Sequence, residues 1–309
     1  MSIPACLLCD GQVLHTMAIW SGAELRRLFA EGRRELTEAA YGRITPEFTI
    51  ELFECQACGF QFFDPTLAGT GEFYAQLERT PYYPEMRPEF TLALELCHRE
   101  KVHRLLDVGA GDGAFLDQAR SVGATTFGIE LNTRAAAAAA ARGHTILARL
   151  LGEFSDVELG GPVDFVSFFH VVEHVPNPRE VLREAMQLAR PGGYIMLSVP
   201  SRDGVFRLLP HDPANLPPHH ISRWREIDLR RLGESCGLRV VDSGTEVLFG
   251  GDIEKFWLQH NRFAAAIGRA PWPGGTWLPK VISFLYRKLG CRYYLPRWGA
   301  SVYAILQRP

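Results

Sequence analysis

The chain has 309 residues, of which 47% are hydrophobic, and a formal net charge of −2, which describes an ordinary globular protein with one large or two modest domains. No apolar run reaches the length of a membrane span, and Met1-Ser2-Ile3-Pro4 does not open a signal peptide, so the expected location is the cytoplasm. The near-zero charge argues against a large surface for nucleic-acid phosphates.

Two cysteine pairs lie near the N-terminus, Cys6/Cys9 and Cys55/Cys58. Thiolates two residues apart can chelate one ion from a tight turn, and two such turns complete a tetrahedral zinc shell. Because four thiolates leave no coordination position open, we predict a structural zinc ion. The alternative, disulfides or four unrelated thiols, is disfavoured because cytosolic chains rarely keep disulfides. We expect this small zinc-binding module to span residues 1–66.

Within the module, the spacing predicts an amphipathic helix over 22–43 and strands over 49–54 and 60–63. A helical linker or lid is expected over 67–100, and it contains Phe73, Tyr74, Tyr82 and Tyr83. These aromatic residues either pack in the core or cover a bound ligand. In the second case, Tyr83 is a candidate catalytic residue that hydrogen-bonds the substrate.

The stretch 103–130 reads as a buried strand, a glycine turn, a helix and a second strand that ends on Glu130. Glycines let the backbone approach a ligand, and the helix N-terminus behind them supplies N–H donors. An acid at the tip of the second strand can accept hydrogen bonds from ribose hydroxyls. This unit should therefore bind an adenosine-type nucleotide.

The loop fits the dinucleotide pattern G-x-G-x-x-G/A, so NAD remains possible. However, Asp107 in the strand and Asp112 in the loop suit a ligand that bears an ammonium and a sulfonium. The stretch resembles the first motif of the class I S-adenosylmethionine (SAM) dependent methyltransferases, D-x-G-x-G-x-G. The resemblance implies that SAM is bound by Asp107, Gly109, Gly111, Gly113 and Glu130.

The resemblance also implies the fold class: an α/β protein with a Rossmann-like seven-stranded sheet, the last strand antiparallel, over residues 101–309. Helices are expected over 135–141 and 179–189, and a helical insertion of open role over about 250–298. The expected strands after Glu130 lie over 144–148, 163–169, 195–199, 237–247 and 299–307.

The segment after the strand at 163–169 resembles the fourth-strand motif of the same superfamily, an aspartate-bearing strand followed by E-H-V-x-x-P. Strand ends in such sheets carry ligands, so His170, Glu173 and His174 should lie near the methyl donor. Glu173 and His174 are equally well explained as a structural pair that fixes the turn.

The segment Pro217–Trp224 contains His219 and His220 in a long loop. Methyl transfer needs positioning and a base for the nucleophile's proton, and histidine titrates in the right range. Zinc-bearing deoxysugar C-methyltransferases have a similar H-E-H-L-S segment, which implies His220 as the base; His219 stands where that family has an acid. His170 and Tyr83 are the alternative bases.

We therefore expect a SAM-dependent methyltransferase whose acceptor is a small molecule, namely a sugar, a glycolipid or a natural-product scaffold, methylated on oxygen or carbon. Three alternatives stay open: a zinc-containing RNA methyltransferase, an NAD-dependent oxidoreductase and a non-catalytic SAM-binding scaffold. No motif indicates an oligomeric state.

Overall fold

The protein is described by a computed structural model over residues 5–32, 36–77, 87–246, 252–270, 277, 280–281, 284 and 299–309. Tyr82, Tyr83 and much of the insertion expected over about 250–298 lie outside these residues. No helix in this described part is both long and apolar enough to cross a membrane. The chain forms two compact units, a first unit of Met1–Gln76, Pro200–Arg225 and Thr245–Val302, and a second unit of Leu77–Val199, Glu226–Gly244 and Tyr303–Pro309.

The strands are β1 Leu14–Ser21, β2 Thr49–Cys55, β3 Gln61–Phe62, β4 Arg104–Val108, β5 Thr125–Ile129, β6 Thr145–Leu147, β7 Val163–Phe169, β8 Ala189–Pro200, β9 Ser222–Arg223, β10 Arg239–Thr245 and β11 Ser301–Gln307. The α-helices are α1 Gly22–Glu31, α2 Glu38–Tyr41, α3 Gly71–Leu77, α4 Pro88–Arg99, α5 Ala114–Ser121, α6 Thr133–Ala141, α7 Pro178–Leu188, α8 Glu226–Ser235 and α9 Asp252–Ala266.

The first unit is built on a small sheet in the order β1-β2-β3-β9. β1 pairs antiparallel with β2, from Leu14 opposite Cys55 to Ser21 opposite Thr49. Large aromatic side chains fill the core of this unit, and the fully buried ones are Trp20, Phe29, Phe60, Phe62, Phe63, Phe73 and Trp224. Phe73 is therefore a packing residue, the first of the two roles expected for the linker aromatics.

The helix predicted over 22–43 is shorter than expected. It begins with a capping box, in which Ser21 and Glu24 each bind the other's backbone N–H, and it ends at Glu31. The N–H of Gly32 then donates to the Leu28 carbonyl and closes the last turn. Among the described residues of the rest of the predicted range, 36–43, the short helix α2 follows.

The second unit contains the seven-stranded sheet in the order β10-β11-β8-β7-β4-β5-β6. β4 pairs parallel with both β5 and β7. The last strand is antiparallel. At one end of the β8–β11 pair the Gly192 N–H donates to the Arg308 carbonyl and the Arg308 N–H donates to the Gly193 carbonyl, and at the other end the Ser201 N–H donates to the Ala300 carbonyl. The predicted α/β fold class, with its antiparallel last strand, is confirmed.

The sheet order places a ligand crevice at the end of β4. From β4 the chain adds β5 and β6 on one side, and it then returns to add β7 on the other side. Ligands in such sheets bind outside the carboxyl ends of the strands where the order reverses. Beside this point, Phe90 of α4, Phe115 of α5 and Phe169 of β7 form a triangle with ring centroids 4.7–5.0 Å apart.

Candidate active site

The glycine loop follows β4 and is held against the neighbouring strand. The N–H groups of Gly109 and Ala110 both donate to the Ile129 carbonyl, at 2.8 and 2.9 Å. Gly109 has φ +78°, and a Cβ at this position would meet Val171 Cγ2 at 2.6 Å. The loop therefore needs glycine here for both its turn and its packing.

Glu130 follows β5 and anchors the loop. Its Oε2 accepts a hydrogen bond from the Gly111 N–H at 2.8 Å, and its Oε1 accepts one from the Asn132 N–H at 2.8 Å. The carboxylate is thus fixed in orientation beside the glycine loop.

Asp107 lies in β4 with its side chain buried. Burial is the main cause that raises the pKa of Asp107 to about 7, and the nearby Glu130 charge also raises it. The 2.7 Å hydrogen bond from Ser167 Oγ and the charge of Arg87 act in the opposite direction and lower this pKa. The carboxyl group therefore changes charge near neutral pH when no ligand is bound.

Asp112, the second acid predicted for the loop, forms an ion pair with Arg142 at 2.8 Å. The same guanidinium also contacts Asp117 at 3.0 Å. The Asp112 charge is thus offset by a protein cation, so that Asp107 and Glu130 are the buried acids near the loop.

A buried acid–imidazole cluster lies at the end of β7. His170 has φ +57°, and its Nε2 lies 3.1 Å from Glu89 Oε1 while its Nδ1 lies 3.5 Å from Glu173 Oε1. Burial and the Arg87 charge lower the pKa of His170, but hydrogen bonds to Glu173 and Glu89 and the Glu173 charge leave it above its ordinary value. The two flanking acids therefore stabilise the charged form of this imidazole relative to a free histidine.

The other predicted residues of this motif belong to the same cluster. His174 Nε2 lies 3.8 Å from Glu173 Oε1, so the two side chains are close, and their role as a structural pair stays a prediction. The contacts of His170 and His174 with the donor stay predictions. Sequence reasoning missed Glu89, which is 3% exposed and also accepts a hydrogen bond from Ser198 Oγ at 2.9 Å. Its position in the first turn of α4 is where acids are common, so the sequence carried no signal for its burial.

His219 and His220 belong to the first unit, and both are buried. Their rings stack with centroids 4.5 Å apart and an interplanar angle of 15°. His219 Nδ1 lies 2.9 Å from the Ala214 carbonyl, and because a carbonyl only accepts, Nδ1 carries the proton. The His219 ring also lies beside Phe73, at a centroid distance of 6.0 Å.

His220 lines a cavity of about 250 Å³ within the first unit. Polar residues dominate the wall, among them Gln61, Asn215 and Ser222, together with Arg202, Arg207 and Arg223. This is a second site with candidate catalytic chemistry, and none of the arginines was singled out from the sequence. Arg202 and Arg207 lie in a stretch without a recognised motif, and Arg223 lies in the His219–His220 segment without marking it, so their convergence appears only in the fold.

The four predicted metal ligands come together in the first unit. The Sγ atoms of Cys6, Cys9, Cys55 and Cys58 all lie within 4.8 Å of one another. The Cys6–Cys58 and Cys9–Cys55 sulfur distances are both 3.6 Å. A tetrahedral ion with Zn–S bonds of about 2.3 Å separates its sulfurs by about 3.8 Å. The cluster therefore has the dimensions to hold one such ion.

The model of the methyltransferase domain family matches residues 78–243, more than half of the chain. A probable S-adenosylmethionine-dependent methyltransferase from Mycolicibacterium smegmatis is 26% identical over 57% of this chain and 70% of its own length. A ubiquinone biosynthesis O-methyltransferase from Thiobacillus denitrificans is 33% identical over 34% of this chain. The chain spans only about half of that relative, 48% of its length.

Solved structures give similarities of modest extent. The plantazolicin methyltransferase BamL, in complex with a substrate analogue and SAH, superposes with a TM-score of 0.47 and 12% identity over 77% of this chain and 89% of its own. A SAM-dependent methyltransferase from Archaeoglobus fulgidus gives a TM-score of 0.42 and 17% identity over 71% of this chain and 94% of its own.

The family match covers the glycine loop, Glu130 and the β7 motif, which are the parts of the second unit on which the SAM prediction depends. The family match also excludes the alternative of an NAD-dependent oxidoreductase, because the relatives of this chain are methyltransferases. The chain thus belongs to the methyltransferase domain family and is a SAM-dependent methyltransferase.

Proposed function

We propose that the acceptor is a small molecule, a sugar, glycolipid or natural-product scaffold, methylated on oxygen or carbon. The observation that carries the proposal is that His220 lines a cavity of about 250 Å³. Pockets for drug-sized ligands have volumes of about 300 Å³ or more. This cavity is slightly smaller, which is the size that one ring or headgroup of an acceptor needs. The ubiquinone biosynthesis O-methyltransferases among the relatives support a small acceptor.

On this proposal the second unit binds the cofactor. Glu130, held by two backbone N–H groups, accepts the ribose hydroxyls, and the glycine loop at Gly109, Gly111 and Gly113 lets the backbone approach the ligand. Asp107 receives the ammonium of the methionine part, and His170 and His174 border the same site. SAM supplies an electrophilic methyl group and leaves as a neutral thioether.

His220 acts as the general base. Its ring nitrogen takes the proton from the acceptor's hydroxyl or acidic carbon as the new bond to the methyl group forms. His219 stacks on His220, and its Nδ1 is fixed on the Ala214 carbonyl, so it orients the base without transferring the proton itself. His170 and Tyr83 remain the alternative bases.

We also propose that Cys6, Cys9, Cys55 and Cys58 bind one structural zinc ion. The sulfur distances of 3.6 Å support it, and four thiolates leave no position for a substrate. The ion would join the N-terminal segment to the turn between β2 and β3, two stretches that are distant in sequence.

The test uses His220→Ala with labelled SAM and a panel of sugar, glycolipid and phenolic acceptors. Removal of a general base should lower turnover by roughly 10²- to 10⁴-fold, while the SAM dissociation constant from calorimetry stays within about twofold of wild type. His15→Ala is the matched control, because it removes an exposed histidine of the same unit. A wild-type rate in His220→Ala would move the base to His170 or Tyr83.

A further inference from the structure

The cavity beside His220 is unusually rich in positive charge. Arg202, Arg207 and Arg223 all line it, whereas Asp203 is the one acid among its lining residues. The Asp203 side chain is 60% exposed, so water screens much of its charge. Among the charged residues that line the cavity, arginines therefore outnumber acids.

The positive charge of Arg202 is offset by neighbouring groups of the protein. Its guanidinium lies 3.4 Å from Glu54 Oε2 and 3.6 Å from Asp203 Oδ1, and it donates a 2.6 Å hydrogen bond to the Gly59 carbonyl. These contacts explain Arg202 as a structural residue that ties its segment to the turn after β2.

Arg223 has no such compensation. Its Nη2 donates to the Asn215 carbonyl at 3.2 Å, and its guanidinium lies over the rings of Phe63 and Trp20, at 5.5 and 5.9 Å. In the part of the chain that the structure describes, no carboxylate contacts it, and its buried Nε has no hydrogen-bond partner. Burial lowers the pKa of Arg223 to about 10, with Arg202 adding to the effect.

Arg223 as a residue is half-buried, with a buried Nε. A cation that is even partly removed from water without a counter-charge is costly, and aromatic faces repay only part of the cost. An anion in the cavity would remove this penalty, because a guanidinium presents several N–H donors in a geometry that matches phosphate and carboxylate oxygens. Ser222 and Gln61 on the same wall add polar groups for such a ligand.

We propose that this cavity binds an anionic group of the acceptor, a phosphate or a carboxylate, through Arg223 and Arg207. The anion then holds the acceptor with its nucleophile toward His220, which lines the same cavity. This inference rests on the proposed role of His220 as the base, and it narrows the acceptor class to negatively charged small molecules.

The experiment titrates the full chain, with zinc content determined, separately with pyrophosphate and with succinate by calorimetry. The wild-type protein should bind at least one of the two probes. The probe with the lower dissociation constant shows whether the site prefers phosphate or carboxylate. Arg207→Gln, an exposed position that leaves the core intact, should weaken that binding by about tenfold or more. Arg223→Lys keeps the charge and should weaken it as well, since lysine lacks the fork of donors.

Arg27→Gln is the matched control, because Arg27 is an exposed arginine of the same unit away from the cavity. It should leave probe binding unchanged. If neither probe binds wild type, or if both cavity variants bind like wild type, the inference is overturned. A SAM titration of the same samples judges the proposed function separately: absence of SAM binding counts against that function, while SAM binding without anion binding overturns this inference alone.

Discussion

Asp107 and Glu130 end neighbouring parallel strands, and both carboxyl groups are buried, but their surroundings differ. Glu130 accepts two backbone N–H groups, which favour its charged form. Asp107 accepts one serine hydroxyl and lies near the Glu130 charge. Of the two acids, Asp107 is therefore the one that we expect to respond to a ligand near neutral pH.

This difference predicts a pH dependence of SAM binding. The pKa of Asp107 is about 7 without ligand, and an ammonium placed beside it favours the ionised form. Binding below pH 7 must therefore release a proton, and affinity should rise with pH between about 5.5 and 7, at most tenfold per pH unit. Calorimetry in buffers of different ionisation enthalpy measures both effects.

Asp107→Asn should remove both the slope and the proton release, whereas Glu234→Gln, at an exposed position of α8, should keep them. An unchanged slope in Asp107→Asn would show that another group titrates on binding.

The glycine loop allows the effect of a glycine on ligand binding to be separated from its effect on stability. Gly109 and Gly237 have nearly equal positive φ values, +78° and +82°. A Cβ on Gly109 would meet Val171 at 2.6 Å, whereas one on Gly237 would meet nothing within 4 Å. Alanine at either position should cost about 1–2 kcal/mol of stability through backbone strain alone.

Only Gly109→Ala should also weaken SAM binding, by about tenfold or more, because the loop must shift away from Val171. Denaturant unfolding gives the stability of each variant, and calorimetry gives its SAM affinity. Equal SAM affinity in the two variants would mean that the loop tolerates the shift and that its backbone does not approach the cofactor.

Elements with a simple pattern were predicted nearly to the residue. β7 covers Val163–Phe169 as predicted because it is buried on both faces and reads as one apolar run. β1 was missed because Met17 and Ile19 are apolar but exposed, so no alternation marks the strand. β8 begins at Ala189 instead of Ile195, since the Pro191–Gly193 turn pairs with Arg308 at the far end of the chain.

The residues of the candidate site also fall into two groups, those marked by a local sequence pattern and those without one. The loop glycines, Glu130 and the four cysteines could be proposed from the sequence because a local spacing indicates their chemistry. Glu89 and Arg223 were not found, since each is defined by burial beside residues far away in sequence, His170 for Glu89 and Trp20 for Arg223. Such residues can be recognised only once the fold has brought them together.

At the scale of the whole molecule, each unit is assembled from three separate stretches of chain. In the first unit, β9 at Ser222–Arg223 pairs with β3 at Gln61–Phe62, which joins the cavity wall to the segment with the second cysteine pair. A linear sequence does not reveal such a pairing, because two-residue strands have no periodicity.

The last prediction concerns the cysteine cluster. Cys9→Ser removes one thiolate of the proposed zinc site, so zinc content measured by elemental analysis should fall from about one ion per chain toward zero. Because binding of a structural ion contributes directly to folding, the first unit should unfold at a lower temperature or denaturant concentration. The SAM dissociation constant should change little, since every residue predicted to contact SAM lies in the second unit.

Cys236→Ser is the matched control, because Cys236 is half-buried outside the cluster and should keep both zinc and the unfolding midpoint near wild type. Full zinc occupancy in Cys9→Ser would show that the ion, if bound, uses other ligands. A wild-type unfolding midpoint despite zinc loss would show that the cluster does not hold the N-terminal segment to the β2–β3 turn, and its conformation would then depend on the aromatic core around Trp20 alone.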